Sequence, residues 1–255
     1  MNRLSRGILL LLLFPPSFLS PCVYSQTCII VHGTPDLITI GSDSRGTIVP
    51  RDNKILITHI DTLCKIKTKN KIYFACSGGL TTVLYSLAFE VCQLDMSFED
   101  KCRYFKERVE NRIKDSLSIF KSENFKRYRE YYPEIRESSI LFFGFDSGRA
   151  KISAFVYTIA SKMKKPLKLK LSTDINWPGP GLPDSCILSI GTFKRVQELL
   201  NNPFLNKMKP NPIDRITYLI NAQSEASSNV GGPIDILQID RKGIVFEDMK
   251  EGCRL

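Results

Sequence analysis

The chain has 255 residues, 43% of them hydrophobic, which suits one large domain or two small ones with a sizeable core. Its 36 basic and 26 acidic residues give a formal net charge of +10, but no nucleic-acid-binding motif accompanies that charge. The eight cysteines form no CxxC pair and only two histidines are present, so we expect no metal, no other cofactor and little scope for a histidine base.

The first 25 residues have the composition of a secretory signal peptide. Two early arginines precede an apolar run at 8–14, and a turn-prone tail ends in Val23-Tyr24-Ser25. The apolar run is too short for a permanent transmembrane anchor. We therefore expect cleavage after Ser25, export to the periplasm or medium, and one mature domain at 26–255. The alternative is an uncleaved anchor or a buried N-terminal segment.

Hydrophobic periodicity and turn residues predict nine strands and four helices. The predicted strands are Thr27–Val31, Leu37–Ser42, Leu63–Ile66, Lys71–Ser77, Ser139–Phe145, Lys151–Ala160, Cys186–Ile190, Pro233–Ile239 and Gly243–Glu247. The predicted helices are Leu80–Val91, a long helix with an N-cap at Ser97 that runs to Phe120, Phe193–Asn201 and Ile213–Ser224. Strands grouped apart from helices predict an α+β fold, with two antiparallel sheets packed face to face and helices on both outer sides.

The start of the predicted domain carries a candidate catalytic site. Thr27 heads the first strand, and Asp43-Ser44-Arg45 begins sixteen residues later. A threonine at a new N-terminus supplies its hydroxyl as nucleophile and its own α-amine as base, because that amine has an unperturbed pKa of about 7.7–8.0. The alternatives are a β-forming threonine and an ordinary strand-end turn with an exposed ion pair, which would contribute little to stability.

Four segments in the right order resemble the proteasome β-subunit group of N-terminal nucleophile (Ntn) hydrolases. They are Thr27-Cys28-Ile29-Ile30-Val31, Gly41-Ser42-Asp43-Ser44-Arg45-Gly46-Thr47, Cys64-Lys65-Ile66 with Lys71-Ile72-Tyr73-Phe74-Ala75-Cys76-Ser77-Gly78-Gly79, and Gly231-Gly232-Pro233-Ile234-Asp235-Ile236-Leu237. The resemblance extends from Thr27 to about Asp248. It implies a four-layer αββα sandwich, ring-like homo-oligomers and hydrolysis of a peptide or small amide.

The resemblance also implies a role for each matching residue. Thr27 is similar to the nucleophile, and Asp43 and Lys65 would form a charge pair beside it that favours a neutral amine. Arg45 would brace Asp43 or shape the substrate cleft. Gly79, or its neighbour Gly78, would give a backbone N–H to the oxyanion. On residue type alone, Cys28 is a rival nucleophile and Lys54 a rival lysine.

Two departures from the family pattern favour a second hypothesis, a catalytically inactive assembly or binding module of the same fold. Gln26 precedes Thr27, where self-processing members usually have glycine. The family also has an aspartate and a serine just before the late glycines, and this chain has Ser227 and Val230 near those positions.

A third hypothesis concerns the segment Arg149–Lys170. It lies within a run from Ser147 to Thr173 that holds seven basic residues and no acidic one. Such a run predicts contact with an anionic lipid, a polyanion or an acidic neighbouring subunit. The commoner alternative is a solvated loop.

Overall fold

The computed structural model describes residues 23–24, 27–48, 58–132, 135, 137–161, 168–179, 183–202, 204–205 and 209–254. Its strands are β1 (Val23–Tyr24), β2 (Cys28–Thr34), β3 (Leu37–Asp43), β4 (Gly46–Ile48), β5 (Thr58–Ile60), β6 (Ile66–Lys69), β7 (Ile72–Gly78), β8 (Glu137–Asp146), β9 (Arg149–Ile159), β10 (Leu169–Trp177), β11 (Cys186–Gly191), β12 (Ile234–Asp240) and β13 (Gly243–Asp248). Its helices are α1 (Thr81–Cys92), α2 (Phe98–Glu123), α3 (Phe125–Tyr131), α4 (Lys194–Leu200) and α5 (Pro212–Ala226).

The strands form two five-stranded antiparallel sheets and one small three-stranded sheet. The first large sheet has the order β10-β9-β8-β7-β6, and the second has the order β11-β2-β3-β12-β13. The small sheet has the order β1-β4-β5 and extends from the end of β3. The predicted α+β class with two antiparallel sheets is therefore confirmed.

Three buried clusters hold these elements together. One lies between the two large sheets and includes Ile40 and Leu237 from one sheet and Phe143 and Ile152 from the other. A second cluster packs α1 and α2 on the outer face of the first sheet, and a third packs α4 and α5 on the outer face of the second sheet. This layering is compatible with the expected sandwich, because each apolar sheet face is covered.

All nine predicted strands and all four predicted helices have counterparts in the structure, with ends that shift by a few residues. The side chain of Ser97 accepts a hydrogen bond from the backbone N–H of Asp100, so the predicted N-cap of α2 is confirmed. Four described strands were not predicted: the short strands β1, β4 and β5 of the small sheet, and β10. The strand β10 lies at the edge of its sheet. Most of its side chains are exposed and its pairing with β9 contains a bulge, so alternation in its sequence is weak.

The described basic residues of the segment Arg149–Lys170 lie at both ends of β9, and contact of this segment with an anionic partner stays a prediction. Arg149 begins β9, whereas Lys170 pairs with Thr158 near the other end of that strand, roughly 30 Å away. Lys151 forms an ion pair with Glu99 at 2.5 Å. The three lysines at 162, 164 and 165 lie outside the described residues.

The expected signal peptide and its cleavage site lie almost wholly outside the described residues, apart from Val23 and Tyr24 in β1. Lys54 also lies outside them. Among the helices of the described part of the chain, none combines the length and the apolar character needed to cross a membrane.

Candidate active site

The start of β2 and the end of β3 lie side by side because these strands form a tight hairpin. Ile29 pairs with Ser42 in the antiparallel register, which sets Asp43 beside the backbone of Cys28. Lys65 comes from the segment just before β6 and reaches the same point. Thr27, Asp43 and Lys65 are all buried. The fold thus brings together three residues that the sequence predicted as one site.

The carboxylate of Asp43 is the centre of this cluster. Its Oδ1 accepts hydrogen bonds from the Cys28 amide and from the Lys65 ammonium, each at 2.9 Å. Its Oδ2 accepts from the Gly231 amide at 3.1 Å and from the Arg45 amide at 3.3 Å. Four donors converge on one carboxylate, which is an arrangement that stabilises the ionised form. Asp43 is thereby tied to the peptide unit that follows Thr27.

Burial and charge shift the pKa values of Asp43 and Lys65 in opposite directions. Burial lowers the pKa of Lys65 to about 8, and the Asp43 carboxylate opposes that shift. Burial also raises the pKa of Asp43, while Lys65 and the backbone donors oppose the rise. Lys65 Nζ gains a further acceptor, the carbonyl of Arg45 at 2.7 Å. The lysine is therefore held in place and has a pKa close to physiological pH.

Thr27 is closely surrounded at its carbonyl side. Its carbonyl oxygen accepts a hydrogen bond from the Thr192 amide at 2.7 Å. A Cβ built on Gly191 would lie 1.8 Å from that oxygen and 2.7 Å from Ser77 Oγ, and Gly191 has φ +89°. Only glycine fits at 191. This close approach brings the end of β11 and the end of β7 beside Thr27.

The predicted oxyanion glycines follow directly after this end of β7. Gly78 is the last residue of the strand and has φ +96°, and an added Cβ there would lie 2.3 Å from the Glu137 carbonyl oxygen. Gly79 lies in the half-buried turn between β7 and α1. The turn is held by a hydrogen bond from the Leu80 amide to Ser138 Oγ at 3.0 Å. Gly79 follows Ser77 by two residues, and Ser77 Oγ lies beside the Gly191 backbone that contacts the Thr27 carbonyl.

Arg45 contacts the cluster through its backbone. Its backbone, not its guanidinium, contacts Asp43 and Lys65, through the amide and the carbonyl respectively. The guanidinium instead makes a bidentate pair with Asp61, at 2.8 and 3.0 Å. The expected brace on Asp43 is thus supplied by the main chain, because the turn after β3 directs the Arg45 side chain toward the end of β5.

Sequence reasoning missed several residues that support the site. Gly231 donates its amide to Asp43, and its carbonyl accepts from the amides of Ser44 and Arg45. The Tyr85 hydroxyl donates to the Lys65 carbonyl at 2.6 Å. Gly231 was part of a motif in the sequence, but backbone donors leave no side-chain signature. Tyr85 had no signal beyond its place in a helix.

A disulfide joins Cys64, the residue before Lys65, to Cys253 near the C-terminus. The two cysteines are 189 positions apart, and sequence spacing did not predict their pairing. Five other cysteines in the described residues are free, including Cys28. Burial raises the pKa of Cys28 far above its usual range, so its thiol is a poor nucleophile. This finding disfavours Cys28 as the rival to Thr27.

Ser227 and Val230, which stand near the positions where the resembling family has an aspartate and a serine, both lie at the end of α5 or just after it. Val230 is buried in the core cluster beside α5, and its carbonyl accepts from Ser224 Oγ at 3.1 Å. Ser227 ends α5 as its C-cap residue. Ser227 has no carboxylate and Val230 has no hydroxyl, so the hydrogen bonds to Asp43 come from other residues.

No protein-family model matches this chain, and no curated protein is significantly similar to it in sequence. Within the described residues, no group of histidine, cysteine, aspartate and glutamate side chains is arranged to hold a metal ion. The interpretation of the site therefore depends on its own geometry.

Proposed function

We propose that this protein is an exported Ntn-type threonine hydrolase that cleaves a peptide or small amide bond with Thr27 as its N-terminal nucleophile. One observation carries the proposal: the Cys28 amide, which follows Thr27, and the Lys65 ammonium both bind Oδ1 of the buried Asp43. This arrangement sets a positive charge beside the residue that would attack. A nearby cation lowers the pKa of an amine and so favours its neutral, basic form.

The chemistry requires that the chain be cut before Thr27, because the nitrogen of Thr27 is otherwise part of the peptide bond to Gln26. Once freed, the α-amine accepts the proton of the Thr27 hydroxyl as the oxygen attacks the substrate carbonyl. The amine then donates that proton to the leaving nitrogen, and an ester to Thr27 remains. Water hydrolyses the ester and restores the hydroxyl. The Gly79 N–H is proposed to donate to the oxyanion.

The small sheet supports a peptide as the substrate. The backbone of β1, which lies just upstream of Thr27, pairs antiparallel with β4, with Tyr24 opposite Thr47 and Val23 opposite Ile48. Cleavage before Thr27 separates β1 from the mature chain. The edge of β4 that β1 occupies could then bind the extended main chain of a substrate within a few residues of Thr27. Pairing to a strand edge recognises the backbone of a peptide whatever its side chains are.

N-terminal sequencing and intact mass of the exported protein test the first requirement. We expect the mature chain to begin at Thr27. A functional form that retains Gln26 would contradict the proposal, because its threonine would have no free amine. Processing of Thr27→Ala by the same host distinguishes self-cleavage, which that variant would abolish, from removal of Gln26 by an aminopeptidase.

Labelling with a threonine-directed β-lactone tests the nucleophile. We expect one covalent adduct on Thr27, none on Thr27→Ala, and an unchanged adduct on Cys28→Ala. The last variant is the matched control, because it removes the neighbouring side chain and leaves the hydroxyl. An adduct that survives Thr27→Ala would overturn the assignment.

The inactive-module hypothesis remains the second candidate, and the burial of Val230 at the family's serine position favours it. It predicts a mature chain that carries residues before Thr27 and gives no adduct with the β-lactone.

A further inference from the structure

A second charged pair lies on the outer side of the site. Arg45 and Asp61 form it, and their side chains are 25% and 40% exposed, whereas the Asp43–Lys65 pair is closed to solvent. Asp61 follows β5 and lies outside the four segments that resemble the Ntn hydrolase family. Asp61 therefore comes from a part of the chain to which the family resemblance assigns no role.

The Arg45 guanidinium uses its donors on two different segments. Nε and one terminal nitrogen bind the two oxygens of Asp61, at 2.8 and 3.0 Å, and the other terminal nitrogen donates to the Ser228 carbonyl at 3.0 Å. A guanidinium engaged by a carboxylate on one edge has a fixed plane. Asp61 therefore sets the orientation in which Arg45 reaches the loop after α5.

The same loop packs against the flat faces of this pair. A Cβ on Gly231 would lie 2.8 to 3.0 Å from the guanidinium carbon and terminal nitrogens of Arg45. A Cβ on Gly232 would lie 2.8 Å from Cβ and 3.0 Å from Cγ of Asp61. Both glycines have positive φ, at +154° and +75°. The absence of side chains at 231 and 232 thus allows the loop to lie directly on the pair.

The opposite side of the loop contacts the buried cluster. The Gly231 amide donates to Asp43 Oδ2 at 3.1 Å, and the Gly231 carbonyl accepts from the amides of Ser44 and Arg45 at 3.2 and 3.0 Å. The loop is therefore held between Asp43 on the inside and the Arg45–Asp61 pair on the outside. A movement of the outer pair would displace a donor to the carboxylate.

We infer that Asp61 is a positioning residue of the proposed hydrolase site: by orienting Arg45 it holds the Ser228–Gly232 loop and thereby keeps the Gly231 N–H on Asp43. The assignment rests on the proposed function only for its effect on Thr27. It gives this chain a carboxylate that supports the late glycine loop, although the residue at the family's aspartate position is Ser227. Asp61 acts through Arg45 and does not touch the reacting atoms.

Amide hydrogen exchange at Gly231 in the exported protein tests the inference without requiring activity. We expect Asp61→Asn, which keeps the size of the side chain, and Arg45→Lys, which cannot make the bidentate pair, to speed exchange at Gly231 about 10-fold or more. Amides of β8 and β9 should be unaffected. Asp174→Asn is the matched control, because Lys106–Asp174 is a similar pair at 2.8 Å with 31% and 34% exposure. Unchanged exchange at Gly231 in both site variants would overturn the inference.

The rate of β-lactone labelling at Thr27 is the second readout. We expect it to fall roughly 10- to 100-fold in Asp61→Asn, because a small misplacement of catalytic groups has a large effect on rate. Asp174→Asn should label at the wild-type rate. An unreactive wild type with faster Gly231 exchange in Asp61→Asn would refute the proposed function but not the positioning role. A reactive wild type with a normal labelling rate in Asp61→Asn would refute the role and not the function.

Discussion

The Lys65 ammonium lies 2.9 Å from Oδ1 of Asp43, and the two side chains are 3% and 0% exposed. A buried ion pair is a poor source of net stability, because both charges lose their hydration. The pair is accompanied by three backbone donors to Asp43, from Cys28, Gly231 and Arg45. Its cost to folding and its position beside Thr27 are what a functional site would show.

Removal of one partner should destabilise the protein strongly. We expect Asp43→Asn to lower the free energy of unfolding by about 3–5 kcal/mol, because Lys65 would remain buried without its counter-charge. Urea unfolding measures this change. Glu110→Gln is the control, since its exposed i,i+4 pair with Lys114 should contribute less than about 1 kcal/mol. Equal losses in the two variants would contradict the structure.

The reactivity of Thr27 should decline on the alkaline side near pH 8. Burial lowers the pKa of Lys65 to about 8, so the ammonium is present below that pH and is lost above it. We expect the labelling rate at Thr27 to fall as the proton leaves. The measurement is β-lactone labelling from pH 6 to 10. Lys65→Arg, with a lower maximum rate, should lose this decline because arginine stays charged. An unshifted decline in Lys65→Arg would assign it to another group.

A methyl group at position 191 should disturb the site more than the same change at a distant turn. Gly191 and Gly148 both have positive φ, at +89° and +77°, but only at Gly191 would the new Cβ meet other atoms. We expect Gly148→Ala to cost roughly 1–2 kcal/mol from backbone conformation alone. Gly191→Ala should cost more, because its Cβ clashes with the Thr27 carbonyl. Thermal unfolding compares the two, and similar melting temperatures would contradict this packing.

Loss of the disulfide should lower stability, because Cys64 and Cys253 close a loop that includes most of the domain. We expect Cys253→Ser to reduce the free energy of unfolding by about 2–5 kcal/mol. Cys186→Ser is the control, since Cys186 is a half-buried free thiol. A reducing agent should reproduce the loss in the wild type and leave Cys253→Ser unchanged. A wild type insensitive to reduction would show that the pair is not oxidised in the purified protein.

The sequence alone was sufficient to predict the order of the main strands and helices, since alternation and helical periodicity are local properties of the chain. It also singled out Thr27, Asp43 and Lys65. Asp43 and Lys65 lie in contact in the structure, and Thr27 precedes the amide that Asp43 binds. The hairpin between β2 and β3 explains why the proximity of Thr27 and Asp43 was predictable. Strands that are neighbours in sequence and joined by a short turn pair in a register that the turn determines.

Only the tertiary structure decided which distant residues complete the site. Asp61 reaches Arg45 and Gly231 reaches Asp43, 188 positions away in sequence, through loops whose paths depend on packing of the whole domain. Hydrogen bonds from a backbone N–H are open to almost every residue type, so composition cannot reveal them. The separation of Arg149 from Lys170 has the same origin. Arg149 and Lys170 belong to one basic segment, but they lie roughly 30 Å apart because most of the 11-residue strand β9 separates Arg149 from Thr158, the partner of Lys170.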